Sequence, residues 1–314
     1  MKKPIIVLTG PTAVGKTEIS IELAKVAGGE IISADSMQVY KQMDIGTAKI
    51  KKEQMQDVTH YMIDEWNPDE EFNVMIFQKR VKEIMEDIYN RGKIPILVGG
   101  TGFYIQAVLN DIAFTKEKQG DEIRADLQNL AKEKGASYLH HELQKVDKES
   151  AEAIHPNNIK RVIRALEYFQ STGQKFSDHN KEERQKGSPY NFLYLVLTMN
   201  RKVLYERIDK RVEEGLLEEV KSLRERGCHR GMVSMQGLGY KEIASALFKE
   251  CTMEEAVYRL KRDTRHFAKR QMTWFRRERD VAMINKDNFS NNHEIVNYIM
   301  KLAVEKGICS CREG

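Results

Sequence analysis

Gly10-Pro11-Thr12-Ala13-Val14-Gly15-Lys16-Thr17 fits the pattern G-x-x-x-x-G-K-[ST], and it lies between the apolar run Ile5-Ile6-Val7-Leu8 and a helix-like stretch from about Lys16 to Ala27. Strand, loop and helix in that order make a phosphate-binding loop. Successive backbone N–H groups and the start of the helix form an anion cradle, Lys16 adds a point charge, and the Thr17 hydroxyl can hold Mg²⁺. A di- or triphosphate compound is the expected ligand. Whether it is a nucleotide is not written in the loop.

The same alternation continues outward from the loop. Ile31–Ser33, His60–Ile63 and Ile94–Val98 read as strands, and the segment from about Val74 to Asn90 reads as a helix. The strands are nearly continuous apolar runs, which predicts a parallel sheet covered on both faces, with the ligand at the carboxyl ends of the strands. Gly99-Gly100-Thr101-Gly102 is a second glycine-rich strand-to-helix turn, followed by a helix to about Leu109. Between residues 116 and 188 the pattern becomes polar and helical, with Leu127, Leu130, Ala131, Leu139 and Leu143 at helical spacing and no strand-like run. Phe192–Leu197 returns to the sheet. Helices follow at about Lys202–Arg226, Lys241–Phe248 and Met253–Arg277, then a strand at Val281–Ile284 and a helix at about His293–Glu305. The expected architecture is α/β: a P-loop NTPase-like parallel sheet flanked by helices, formed by residues 1–115 and 189–314, with an inserted all-helical subdomain at 116–188.

Composition narrows the class of protein. A chain of 314 residues with 41% hydrophobic and 31% charged residues can bury one large core or two modest ones. No apolar run approaches the ~20 residues that span a bilayer, and Met1-Lys2-Lys3-Pro4 leads into a strand, so a cytoplasmic protein is expected. Cys228, Cys251, Cys309 and Cys311 form no C-x-x-C unit, which argues against a zinc site or a disulfide framework. The net charge of +4 says little, but its distribution is uneven: residues 259–280 hold nine Lys/Arg against three acids. A local excess of +6 in that segment is a nucleic-acid-like signal.

Several side chains are candidates for chemistry. Asp35, just past the second strand, can coordinate Mg²⁺, accept a proton, or simply cap a turn. Gln38 and Tyr40 offer polar tips to a base edge. Thr101 puts a hydroxyl on the same rim. Arg207 and Arg211 share a helix face from which either could reach a pyrophosphate. Lys160, Arg161 and Arg164, the segment Gln236–Lys241, and Lys269–Arg276 interleave basic and aromatic residues, as suits an RNA backbone with unpaired bases, unless Trp274 and Phe275 are core.

Together GPTAVGKT at Gly10–Thr17, DSMQVY at Asp35–Tyr40, MDIGTA at Met43–Ala48, ILVGGTGFY at Ile96–Tyr104, HPNNIKRVIRALE at His155–Glu167, QGLGYK at Gln236–Lys241 and KRQMTWFR at Lys269–Arg276 resemble the bacterial tRNA dimethylallyltransferases. The resemblance runs in the family's order from residue 4 to about residue 285. It implies transfer of a dimethylallyl group from dimethylallyl diphosphate to the N6 amine of adenosine 37, beside the anticodon. It also implies Mg²⁺ as cofactor and the tRNA anticodon stem-loop as partner. A monomer without an obligate protein partner is expected, although no segment of the sequence bears on oligomeric state. By motif, Asp35 is the general base, Thr12 and Lys16 hold the diphosphate within Gly10, Pro11, Thr12, Ala13, Val14, Gly15, Lys16 and Thr17, and Thr17 supports the metal. Thr101 and Arg211 attend the reacting centre, so Asp35, Thr101, Arg211 and Lys16 are the implied catalytic set. The implied tRNA contacts are Asp35, Ser36, Met37, Gln38, Thr101 and Arg124; Lys160, Arg161, Val162, Ile163 and Arg164; Gln236, Gly237, Leu238, Gly239, Tyr240 and Lys241; and Lys269, Arg270, Gln271, Met272, Thr273, Trp274, Phe275 and Arg276. The tail after about Ile284 shows no zinc-finger extension, which fits the bacterial type. A small-molecule kinase and a transferase acting on free adenine nucleotides share the loop, but neither needs the insert or the basic third of the chain.

Overall fold

The computed structural model describes residues 2–114, 120–211 and 215–309. In the first unit, residues 1–109 with 189–314, the chain runs β1 (Lys3–Thr9), α1 (Lys16–Ala27), β2 (Gly29–Ser33), β3 (His60–Tyr61), α2 (Val74–Asn90), β4 (Ile94–Gly99) and α3 (Gly102–Leu109). The second unit, residues 110–188, holds α4 (Gly120–Lys134), α5 (Ala136–Val146), α6 (Lys148–Ala153), α7 (Ile159–Thr172) and α8 (Phe176–Gln185). The first unit resumes with β5 (Tyr190–Thr198), α9 (Arg201–Arg211), α10 (Leu216–Glu225), α11 (Tyr240–Leu247), α12 (Met253–Phe275), β6 (Val281–Asn285) and α13 (Asn292–Glu305).

The six strands form one sheet in the order β3-β2-β4-β1-β5-β6 with every pair parallel, the expected P-loop-like α/β fold. In the centre, Ile6 of β1 is in register with Ile96 of β4 and Leu193 of β5. Side chains alternate between the faces, so Ile5 and Val7 enter one core while Ile6 and Leu8 enter another. The first core takes Phe77, Val81, Ile84 and Ile88 from α2, spaced for one helix face, with Ile243, Leu260 and Phe275 from α11 and α12. The second takes Ile19 and Leu23 from α1 and Ile295, Val296 and Ile299 from α13. The helical unit has its own core, built on Leu127, Leu139, Leu143, Val162, Ile163 and Leu166.

Local signals fix several helix starts. Asn73 accepts hydrogen bonds from the N–H groups of Met75 and Ile76 at 3.0 and 3.1 Å and opens α2. Thr252 and Glu255 close a reciprocal box at the start of α12, at 3.1 and 3.0 Å. Two expectations are corrected. The single helix from Lys202 to Arg226 is two, because α9 ends at Arg211 and α10 starts only after Gly215, whose φ of +91° no helix accepts. The third strand is shorter than predicted, because Met62 turns out of the ladder at φ +62°. Cys311 lies outside the described residues.

One buried charge ties β2 to its neighbours on both sides. Glu30 accepts from Lys93 Nζ at 2.7 Å, Tyr61 Oη at 2.9 Å and Arg91 at 2.5 Å. Burial pushes its carboxyl up, but the hydrogen bonds from Lys93, Tyr61 and Arg91 outweigh burial and hold it below its usual range. The stabilisation is therefore complete above the unfolded-state value and is lost as pH falls through the lower folded-state one. Glu30→Gln should cost about 1–3 kcal/mol at neutral pH, since it leaves the cations underpaired, and should flatten the loss of stability on acidification. Urea unfolding at pH 7 and pH 4 checks both; equal curves for the two proteins would refute the assignment.

Candidate active site

Because every strand runs the same way, the segments that follow β1, β2, β4, β5 and β6 emerge at one edge of the sheet. The phosphate loop, residues 10–15, follows β1 and delivers the chain into α1, whose N-terminus has no side-chain cap. The first-turn N–H groups are thus left for an anion. Lys16 folds back over the loop, its Nζ donating to the carbonyls of Gly10 and Pro11 at 3.0 Å each. An open cavity of about 1780 Å³ lies beside the loop, with Ala13, Thr17, Glu18, Asp44, Lys49 and Arg207 in its wall.

Asp35 and Thr101 meet on the adjoining rim. The Ser36 N–H donates to Thr101 Oγ1 at 3.2 Å, and the Thr101 N–H donates to the Ala34 carbonyl at 3.1 Å. Asp35 Oδ1 accepts from the Met37 N–H at 2.9 Å, which holds the carboxylate in its own turn rather than at a helix cap. Nearby, burial raises the phenol of Tyr104, and the charges of Tyr40 and Asp35 add to that effect. Gln38 is fully engaged: it accepts from Ser33 Oγ at 2.9 Å and donates to the carbonyls of Thr47 and Ala48 at 3.2 and 3.4 Å. Its amide braces the 43–48 turn.

Two polar ties, one buried and one partly exposed, neither evident from sequence spacing, hold these loops. Gln271 of α12 accepts from the Thr12 N–H at 2.9 Å and donates to the Gly100 carbonyl at 3.0 Å. It fastens the phosphate loop to the glycine-rich turn. The approach is so close that a Cβ on Gly100 would come within 2.2 Å of Gln271 Nε2. Glu219 of α10 accepts from the N–H groups of Asp44, Ile45 and Gly46 at 2.9, 2.7 and 3.1 Å and from Tyr240 Oη at 2.6 Å. Burial pushes the Tyr240 phenol up strongly, and the Glu219 charge pushes it further.

These contacts sort the remaining candidates. In the 269–276 segment Lys269, Arg270, Thr273 and Arg276 are exposed, whereas Gln271 and Phe275 are buried and Met272 and Trp274 are half-buried against the core. Phe275 is therefore a core residue, not a stacking platform. The Trp274 ring fills the space where Gly102 has no side chain and meets Phe103 edge-on at 6.4 Å. In the 236–241 segment Gln236 is exposed, Leu238 and Lys241 are half-exposed, and Gly237, Gly239 and Tyr240 are buried. Within the helical unit, Lys160 and Arg161 are exposed and Arg164 is half-buried, but Val162 and Ile163 belong to the core. Arg124 grips the buried Glu167 through hydrogen bonds of 2.9, 3.0 and 3.3 Å, and Arg164 reaches the same carboxylate at 3.4 Å. Arg207 is exposed at the cavity wall. Arg211 ends α9, and its side chain lies outside the described residues.

The donor set suits a hard divalent cation. The described residues contain no group of three or more His, Cys, Asp or Glu side chains able to hold a metal, so the Thr17 hydroxyl together with phosphate oxygens of a ligand is the arrangement available. Oxygen-only coordination completed by a substrate is how Mg²⁺ binds at phosphate sites.

No helix among the described residues is long and apolar enough to cross a membrane. Residues 38–278 match the family model described as IPP transferase. The chain is 56% identical over 310 residues to a tRNA dimethylallyltransferase of Lachnoclostridium phytofermentans, covering 98% of this chain and 99% of that one. Among solved structures it is similar to the tRNA isopentenylpyrophosphate transferase of Bacillus halodurans, with a TM-score of 0.72, 43% identity and 98% of each chain covered. It is also similar to a eukaryotic dimethylallyltransferase acting on tRNA, with a TM-score of 0.79, 28% identity, and 98% of this chain and 84% of that one covered. With a family model matched over residues 38–278 and a relative 56% identical over 98% of its length, the chain belongs to the IPP transferase family.

Proposed function

We propose that the protein transfers the dimethylallyl group of dimethylallyl diphosphate to N6 of adenosine 37 in tRNA, next to the anticodon, and releases diphosphate. The observation that carries this reading is α12. One face of it is bonded through Gln271 to the phosphate loop, and the other exposes Lys269, Arg270 and Thr273, with Arg276 exposed just past its end. A diphosphate site and an RNA-backbone surface therefore share one rigid element. A kinase would need the first and have no use for the second.

In this reaction the allylic carbon–oxygen bond breaks, the carbon–nitrogen bond forms, and the amine loses a proton. The loop amides and Lys16 receive the negative charge that gathers on the departing diphosphate. Mg²⁺, held by Thr17 and the phosphate oxygens, would neutralise part of that charge. Asp35 accepts a hydrogen bond from the N6 amine, enriches the nitrogen, and takes the proton as the new bond forms. Thr101 completes the wall beside Asp35, and Arg211 attends the leaving group. Adenosine 37 must leave its stack to reach this rim, and the anticodon stem-loop is bound through phosphates by Lys269, Arg270 and Arg276; Lys160, Arg161 and Arg164 of the helical unit offer RNA phosphates cations of their own. All of these groups come from one chain, so a monomer suffices.

Incubation with dimethylallyl diphosphate, Mg²⁺ and unmodified tRNA, followed by mass analysis of the nucleosides, tests the reading; modification at adenosine 37 is expected. ATP turnover without RNA modification would replace it with a kinase. Asp35→Asn should reduce turnover by about 10²–10⁴-fold while tRNA binding survives, and unchanged turnover would remove Asp35 from the base role. Replacing Lys269, Arg270 and Arg276 together by Ala should lower the slope of log Kd for tRNA against log salt by about 2–3, and an unaltered slope would return these cations to plain solvation. Gln271→Ala strands the Thr12 N–H and the Gly100 carbonyl. It should cost about 1–3 kcal/mol of stability and raise the donor KM, as calorimetry and steady-state kinetics would report; a variant matching the parent in both would show that the loops hold without it.

A further inference from the structure

β6 ends at Asn285, and the chain enters a short 3₁₀ turn at Lys286. This is the same edge of the sheet from which the phosphate loop rises. The Lys286 ammonium returns over that loop: a Cβ built on Gly15 would lie 2.8 Å from Lys286 Nζ and 3.6 Å from a terminal nitrogen of Arg207. Two cations from different elements, the turn after β6 and helix α9, thus converge on the residue before Lys16. Neither has a hydrogen-bonded or ion-paired partner among the described residues. Glu18 and Asp287 act on Lys286 only at longer range, while burial and the Arg207 charge depress its ammonium. Two unpaired like charges beside an anion cradle are unfavourable when the cradle is empty and become favourable when a polyanion fills it.

We infer that Lys286, with Arg207, forms a second cationic wall of the diphosphate site, outside the G-x-x-x-x-G-K-T loop, and binds the terminal phosphate of the donor and of the released diphosphate. The assignment rests on the reading of the loop as the donor site. Its chemistry is that of a diphosphate anion and involves no base. Lys16 covers one side of the loop through the carbonyls of Gly10 and Pro11, and Lys286 approaches from the Gly15 side, so a bound diphosphate meets positive charge on both flanks. Arg207 also stands in the wall of the large cavity, where an anion arriving from solvent passes it first.

The test compares Lys286→Met, Lys286→Gln and Lys286→Arg with the parent protein in titration calorimetry with inorganic diphosphate and Mg²⁺ and in steady-state prenylation. The two neutral variants should weaken diphosphate binding about tenfold and raise the donor KM to match, with the tRNA KM unchanged. Lys286→Arg should stay within about threefold of the parent, because its charge is retained. Parent-like diphosphate affinity in either neutral variant that keeps the parent melting temperature would overturn the assignment, and so would a tRNA KM that rises with the donor KM, which would make Lys286 an RNA contact. Diphosphate affinity is read without turnover. A parent protein that binds diphosphate through Lys286 but modifies no tRNA would refute the proposed reaction and leave this site standing.

Discussion

Parallel pairing of all six strands is the constraint from which the rest follows. A parallel strand can be followed by another only through a crossover: here one helix follows β1 and one follows β3, a segment with a single 3₁₀ turn follows β2, α3 and the helical unit follow β4, and four helices follow β5. Those helices must cover the sheet, which is why Ile5 and Val7 find one core and Ile6 and Leu8 another. The same constraint sends every strand end to one edge. The phosphate loop, the Asp35 turn, the Thr101 turn and Lys286 come from distant parts of the chain and become neighbours because the sheet allows no other exit.

Being neighbours does not make loops rigid. They are held by polar ties that reach across long stretches of sequence. Gln271 spans from Thr12 to Gly100, and Glu219 gathers three consecutive N–H groups of the 44–46 turn along with the Tyr240 hydroxyl. Gln271 satisfies the buried Gly100 carbonyl, so breaking that tie costs desolvation as well as a bond, while Glu219 fixes a partly exposed turn by pairing three N–H groups at once. The result is a preorganised rim. Charge developing on a leaving group meets dipoles that are already aimed, which is the form of stabilisation that helps a reaction most.

How much of this was legible depended on whether a signal was local. The phosphate loop was legible because its pattern, its strand and its helix are contiguous. Asp35 and Thr101 were legible as strand-end residues, and the Thr252–Glu255 box marks its helix start within four residues. The stretch from Lys202 to Arg226 looked like one helix because its charges and apolar residues continue through the break at Gly215. Phe275, Tyr240, Val162 and Ile163 sit inside basic segments, and composition could not tell that they face inward. Helical spacing carried that information: Ala268, Gln271 and Phe275 point to the core while Lys269, Arg270, Thr273 and Arg276 point out. Glu219, Gln271 in its bracing role, and Lys286 gave no local signal, since each acts on backbone or charge far away in sequence.

The sequence by itself determined the α/β alternation, the anion-binding loop, the helical character of the insert and the uneven placement of charge, because these follow from patterns a few residues to a few turns long. Tertiary structure alone decided which strands lie side by side, which face of each basic helix meets solvent, and which carboxamide or carboxylate completes which loop. It also decided that an ammonium following the last strand stands over a loop near the beginning of the chain. These are choices of long-range pairing, and hydrogen-bond satisfaction and charge placement in three dimensions enforce them, with no periodicity along the chain to announce them.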